Sequence, residues 1–165
     1  MRRHVASQCN TPASPEGSRL VPLRYHLPPL RRFLLLSLPL LILAMALFHF
    51  ALEALGKMPN PHTISAAGPR VLPPWVPLVT WTLESLGLSA LFLLIYGRNN
   101  VRWISGLLAG WIAWVFRGPL LVVSVVGIAG LPPAPWWSMA FSWWILYTLC
   151  GLLLASAAAA SGLQP

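Results

Sequence analysis

The chain has 165 residues, of which 57% are hydrophobic and only 8% are charged. Water-soluble domains carry about 25% charged residues, so this composition excludes a soluble globular protein and predicts an integral membrane protein in contact with the lipid bilayer. The net charge of +8 does not indicate nucleic-acid binding, because most basic residues precede the first apolar run, where signals of membrane orientation lie. These residues are Arg2, Arg3, Arg19, Arg24, Arg31 and Arg32.

The first 30 residues are rich in Pro, Ser and Arg and have no apolar period, which predicts a disordered basic tail in the cytoplasm. Residues 33–55 are an apolar run long enough to cross about 30 Å of hydrocarbon, with Pro39 in its second turn. An alternative is a cleaved signal peptide within residues 1–46, because an A-x-A pattern ending at Ala46 follows a basic start and an apolar core. We favour a membrane span, since the apolar run continues past Ala46.

Three more apolar runs follow, separated by short segments rich in turn-forming residues. Residues 56–73 contain several prolines and glycines, Gly-Arg-Asn-Asn at 97–100 predicts a tight polar turn, and Leu-Pro-Pro-Ala-Pro at 131–135 precedes the last run. We therefore predict an all-α fold, a bundle of four transmembrane helices over residues 31–160, followed by a short tail at 161–165. The predicted spans are 33–55, 74–96, 101–130 and 136–159.

The charges of the connecting segments predict the orientation of the bundle. If the N-terminus is cytoplasmic, the inside holds the six arginines of the tail together with Arg98 and Arg102. The outside then holds only Lys57 and Arg70. Because basic residues concentrate on the cytoplasmic side of membrane proteins, we predict that both termini lie in the cytoplasm.

Two ionisable residues lie at matching depths in the second and third predicted spans. Glu84 is nine residues beyond Trp75, or about 13 Å into the membrane from the outer face. Arg117 is fourteen residues beyond Trp103, which leaves about 9 Å between Arg117 and the same outer face. Since an isolated charge is costly inside a bilayer, we predict that Glu84 and Arg117 form an intramembrane ion pair.

The third span carries small residues on the same face as Arg117. Gly106, Gly110 and Ala113 precede it at helical spacing, and the G-x-x-x-G pattern lets a neighbouring backbone approach closely. We therefore predict that these residues pack in a tight hairpin of the second and third spans.

Gly118 and Pro119 follow directly and predict a kink, because proline donates no backbone hydrogen bond. Three interpretations of the kink remain open. It is a structural feature held in place by the ion pair, part of a broken helix that lines a polar cavity, as in transporters, or an irregular stretch with neither role.

His49 and Glu53 lie one helical turn apart near the outer end of the first span. They are a candidate proton-responsive pair, although Glu53 also has the spacing to pair with Lys57 on the helix surface. A metal site that adds His62 is not predicted, because two histidines and one carboxylate without dense spacing are not diagnostic of metal binding.

The segment LLIYGRNNVRWISGLLAG, residues 93–110, resembles the cytoplasmic turn of small four-span bacterial inner-membrane proteins of unknown function. The matching positions are Gly97, Arg98, Arg102 and Trp103. The resemblance implies a multi-pass protein of the bacterial inner membrane, and it implies no activity.

The motifs of common enzyme classes are missing from the sequence, which has no P-loop, HExxH, GxSxG or paired aspartates. We expect no cofactor and predict a non-enzymatic accessory, assembly or immunity-type protein. It would act by helix–helix association with a membrane-protein partner or with copies of itself. The alternative is a small transporter or channel subunit with a polar path at Glu84 and Arg117, which would require a homo-oligomer because four spans are few for a transporter.

Overall fold

The computed structural model describes residues 27–56, 73, 75–130 and 133–164. Its helices are α1 (Leu27–Ala54), α2 (Trp75–Asn99), α3 (Arg102–Val115), a π-helical segment (Phe116–Leu120), α4 (Leu121–Ala129) and α5 (Pro133–Ser161). Since α3, the π-helical segment and α4 follow one another directly, the described residues form four helical rods that are long and apolar enough to cross a membrane. The predicted all-α class and the predicted number of long apolar helices are both confirmed for the described residues.

The first helix begins earlier than the apolar pattern predicted. It starts at Leu27, so residues 27–30 are helical and do not belong to a disordered tail. The reason is that Pro28 and Pro29 occupy the first turn, where a missing backbone donor costs nothing and the fixed φ of proline favours the helix. The rest of the predicted tail, residues 1–26, lies outside the described residues.

The predicted polar turn at 97–100 is mostly helical. The second helix, α2, continues through Asn99, and only Asn100 and Val101 separate it from α3. Asn100 adopts a left-handed conformation with φ 54°, which asparagine tolerates better than most residues and which ends the helix. The connection is therefore too short for α2 and α3 to be anything but direct neighbours.

The four rods form a ring in which each helix packs mainly against two neighbours, and α2 and α5 also contact each other across the ring. α1 contacts α2 and α5, and α3 also contacts α2 and α5. Neighbouring helices run antiparallel, because Phe33 near the start of α1 meets Phe92 in α2, whereas His49 near the end of α1 meets Trp81. Large apolar side chains cover much of the outer surface, as expected of a surface that faces lipid rather than water.

The end of the bundle where α1 begins and α2 ends is tightly packed, and we call it the closed half. Phe33, Phe92 and Tyr96 form a stack in which successive ring centroids lie 5.5 Å apart. The Tyr96 hydroxyl donates a hydrogen bond of 3.2 Å to the carbonyl oxygen of Leu163, just beyond α5. All four of these residues are buried, so this half of the core is continuous.

The glycines of α3 pack closely against a neighbouring helix, but that helix is α5 and not α2, the neighbour predicted from the hairpin. A Cβ atom placed on Gly106 would collide with the carbonyl oxygen of Gly151, and one on Gly110 would collide with that of Tyr147. The physical reason is that α5 has its own small residues, Gly151 and Ala155, at the matching level. Two small-residue faces allow the closest approach of two backbones.

The Gly118–Pro119 step widens the helix instead of breaking it. Residues 116–120 form one turn with π-helical spacing, and α4 continues beyond it. Pro119 has no N–H to donate, and the π turn carries the chain past the missing hydrogen bond. Gly118 is buried against the indole of Trp114, whose Nε1 donates a 2.8 Å hydrogen bond to the carbonyl oxygen of Ala140 in α5.

Candidate functional site

The two charged residues at matching depth are in direct contact. Nε of Arg117 lies 2.9 Å from Oε1 of Glu84. The α2 helix supplies the carboxylate, and the π-helical segment supplies the guanidinium. The contact is only partly enclosed, because the Arg117 side chain is 42% exposed and that of Glu84 is 24% exposed. The pair therefore lies at the wall of an opening and not within packed protein.

Two aromatic residues of α5 hold the ion pair from a third direction. The guanidinium carbon of Arg117 lies 5.2 Å from the centre of a Trp143 ring, which is the geometry of a cation–π contact. The Tyr147 hydroxyl interacts with the Glu84 carboxylate. Each charge thus has one oppositely charged partner and one aromatic partner, so the pair is oriented by three helical elements at once.

An open cleft of about 410 Å³ lies on one side of the pair. This volume falls within the range of small-molecule sites, about 300–1,000 Å³. The lining comes from all four rods and is mostly apolar and aromatic, with the charges of Glu84 and Arg117 at one wall. The other lining residues are Met45, Phe48, His49, Leu52, Val76, Pro77, Thr80, Trp81, Leu121, Trp136, Met139, Trp143, Leu146 and Tyr147.

A second, smaller cavity of about 300 Å³ lies on the other side of the pair, between α2 and α3, and we call it the α2–α3 groove. Glu84, Arg117 and Tyr147 line both cavities, so the ion pair stands between the cleft and the groove. The remaining walls are apolar and are formed by Gly87, Leu88, Leu91, Ala113 and Phe116. Of the predicted small-residue stripe on α3, only Ala113 takes part in this lining.

His49 and Glu53 are not brought together. His49 lines the cleft and meets the Trp81 ring edge-on, with the ring centres 5.7 Å apart. Glu53 is exposed near the end of α1, and these two described residues share no hydrogen bond or ion pair. Both residues lie on the same side of α1, but His49 is level with the cleft, whereas Glu53 lies one turn further on, next to the end of the helix at Ala54. Lys57 and His62, the other candidate partners, lie outside the described residues.

The side chains that line the cleft are suited to binding charged groups. Within the part of the chain that the structure describes, no group of three or more His, Cys, Asp or Glu residues lies close enough to hold a metal ion. The polar atoms in the lining belong to a carboxylate, a guanidinium, an imidazole, a phenol, a threonine hydroxyl and indole N–H groups. Such a set can pair with both signs of charge and stack on apolar or cationic groups.

The sequence interpretation did not connect Tyr147, Trp143 or Trp136 with the ion pair of Glu84 and Arg117. Their signal is present, because Trp136, Met139, Trp143, Leu146 and Tyr147 recur at helical spacing and so share one face of α5. A tyrosine in the middle of an apolar span also needs a partner for its hydroxyl, which points to a polar group on a facing helix. In the structure, the polar group that faces Tyr147 is the carboxylate of Glu84.

Comparison with family models, with curated proteins and with solved structures finds no match to this chain.

Proposed function

We propose that this chain is a multi-pass protein of the bacterial inner membrane with both termini in the cytoplasm. Support comes from the four long apolar helices, from the large apolar side chains on the outer surface, and from the excess of basic residues in the tail and near the α2–α3 turn. In this orientation the cleft opens toward the periplasmic side. The closed half then faces the cytoplasm.

Reporter fusions test this orientation. A reporter that is active only in the periplasm should give signal when it is placed within residues 57–73 or after Ala134. The same reporter should stay silent after Gln164 or within residues 97–100. The reversed pattern of signals would overturn the orientation.

We further propose that the protein is a non-enzymatic accessory protein that acts by binding a membrane-embedded ligand or partner segment in its cleft. The observation that supports this is the partial exposure of Glu84 and Arg117 to an open cleft. An ion pair that served only to stabilise the fold would gain no stability from being exposed within a membrane. The α3 glycines occupy an internal contact, so the GxxxG face is not free to recruit a partner. The working surface is therefore the cleft.

Site-specific photo-crosslinking in intact cells tests the proposal with a matched pair of positions. Thr80 lines the cleft, whereas Thr82, two residues further along the same helix, does not belong to the lining. A photo-reactive amino acid at position 80 should give an adduct of one defined mass, and the same amino acid at position 82 should give only heterogeneous labelling by bulk lipid. Equal, heterogeneous labelling at both positions would contradict binding in the cleft.

The mass of the adduct also separates two kinds of occupant. An added mass below about 1.5 kDa indicates a small ligand, and a shift of tens of kilodaltons indicates a protein partner inserted into the cleft. A protein adduct is informative only if it forms at Thr80 and not at Thr82. Either result supports an accessory role based on binding.

A second candidate function is a small transporter or channel subunit. One observation favours it, namely that the charged side chain of Arg117 is carried by a π-helical turn, and such turns often occur at functional sites. However, the stacked rings of Phe33, Phe92 and Tyr96 occupy the closed half directly beyond the pair. A polar path through one copy would be blocked there, so transport would require several copies. A discrete homo-oligomer after gentle solubilisation would favour this candidate.

A further inference from the structure

We propose that the occupant of the cleft is a zwitterionic phospholipid with a phosphate and a primary ammonium group, as in phosphatidylethanolamine, and that its headgroup inserts between Glu84 and Arg117. This inference rests on the proposed binding function and specifies its ligand. The phosphate pairs with Arg117, the ammonium pairs with Glu84, and one acyl chain leaves along the α2–α3 groove.

The first argument is the balance of charge. The site holds one carboxylate and one guanidinium in direct contact, so its net charge is zero. An anionic headgroup that takes Arg117 would leave Glu84 without a partner next to a second negative charge, and a cationic headgroup would leave Arg117 alone. Only a headgroup with both charges replaces the direct pair by two new pairs of opposite charge.

The second argument is the nature of the walls. A guanidinium binds phosphate through several N–H donors, and the Glu84 carboxylate accepts hydrogen bonds from a primary ammonium. Indole and phenol rings from Trp81, Trp143 and Tyr147 line the same space, and such faces attract an ammonium group through cation–π interaction.

The third argument is the shape of the two cavities. The α2–α3 groove begins at Glu84 and follows Gly87, Leu88 and Leu91 along one face of α2, a length of about 10 Å at 1.5 Å per residue. The groove runs from the ion pair toward the closed half, and its walls beyond the pair are apolar. The charged headgroup of a phospholipid therefore matches the cleft with Glu84 and Arg117 at its wall, and an acyl chain matches the groove.

Gly87 is the residue that keeps the groove open. A Cβ atom at this position would meet no atom within 4 Å, so the glycine is not required for helix packing. A large side chain there would fill the groove without disturbing the contacts between helices. Gly127 in α4 is the matched control, because a Cβ atom there also meets nothing and the residue does not line either cavity.

Native mass spectrometry of the full-length protein tests the inference. The protein is released from mixed micelles that contain equal amounts of phosphatidylethanolamine and phosphatidylglycerol, and the retained lipids are identified. The basic tail attracts anionic lipid in every variant, so the comparison is between variants that share the same tail. We expect the wild-type protein to retain one tightly bound phosphatidylethanolamine with at least tenfold preference over phosphatidylglycerol at that site.

Three variants test where the lipid binds and which charge selects its headgroup. Gly87→Phe should lose the tightly bound lipid, and Gly127→Phe should keep it. Glu84→Gln leaves Arg117 as the only charge, so the preference should reverse toward phosphatidylglycerol. A reversal of preference is not an outcome that damage to the fold would produce.

Two outcomes would overturn the inference. The first is a lipid content that is the same in the wild-type protein, Gly87→Phe and Glu84→Gln. The second is a wild-type preference for phosphatidylglycerol that survives in Gly87→Phe, because that lipid would be bound elsewhere. If crosslinking at Thr80 still gives a defined adduct of another mass, the proposed binding function stands and only the identity of the ligand is wrong.

Discussion

The two halves of the bundle are built from the same four helices but are held together by different contacts. In the closed half, α3 and α5 approach through Gly106 and Gly151, and aromatic rings stack between α1 and α2. In the other half, which we call the open half, the helices separate around a cleft of about 410 Å³, and Glu84 contacts Arg117 across the gap. Packing of small and aromatic residues therefore holds one end together, and charge holds the other.

Because the two halves differ in this way, we expect stability and ligand binding to depend on different halves of the molecule. Contacts between backbones leave no room for a ligand, whereas a pair of partly exposed charges can exchange its partner without unfolding the chain. We expect substitutions in the closed half to act on the amount of folded protein. Substitutions in the open half should act more on binding.

The largest effect is expected for Gly106→Leu. The added side chain would collide with the backbone of Gly151, and backbone cannot move aside without separating α3 from α5. Overpacking of a filled core costs about 1–3 kcal/mol, and this contact lies at or above the top of that range. The free energy of unfolding in mixed micelles measures the loss, with Gly127→Leu as the control that should cost little. Equal stability of the two variants would mean that the α3–α5 contact is not the structural centre of the closed half.

The next largest effect is expected for the ion pair. Removing one partner of a fully buried pair costs about 3–5 kcal/mol, and the exposure of 42% and 24% reduces our expectation to roughly 1–3 kcal/mol. Glu84→Ala should cost more than Arg117→Ala, because a carboxylate left alone can bind a proton whereas a guanidinium keeps its charge.

A double-mutant cycle measures the coupling between the two residues. Arg117→Met together with Glu84→Leu should be less destabilising than the sum of the single substitutions. Additive effects would mean that the contact between Glu84 and Arg117 contributes nothing to stability in the membrane. If the double variant folds well and keeps the adduct at Thr80, the ion pair has a structural role only, and binding in the cleft does not depend on it.

A smaller effect is expected for Trp143→Leu. This substitution removes the ring beside Arg117 and should cost about 0.5–2 kcal/mol through the lost cation–π contact. The loss should shrink when Arg117 is already methionine. Trp144→Leu is the control, since Trp144 is the next residue and faces outward. If both substitutions lower the free energy of unfolding equally, with Arg117 present and with Arg117 replaced by methionine, Trp143 contributes packing volume only.

The smallest effect is expected for deletion of residues 2–18. Arg19, Arg24, Arg31 and Arg32 remain and still favour a cytoplasmic N-terminus. The amount of inserted protein and the reporter pattern should therefore not change. Loss of insertion would mean that the first residues of the tail take part in the fold or in binding a partner.

The sequence predicted the parts of the molecule that depend on local composition. Apolar runs of sufficient length predicted the four long helices, and depth along two of them predicted that Glu84 and Arg117 lie at the same level, where the structure places them in contact. Both inferences depend only on the length of a helix per residue and on the cost of a lone charge in lipid.

Only the tertiary structure decided which pairs of helices pack against each other. The GxxxG face of α3 was equally able to pack on α2 or on α5, and the choice depended on Gly151 and Ala155 lying opposite at the same height. The cleft is likewise a property of four helices together, because Trp143 and Tyr147 reach the ion pair from the last helix of the chain. A periodic pattern shows that a face is small or aromatic, but the identity of its neighbour depends on how closely each possible pair of surfaces can pack.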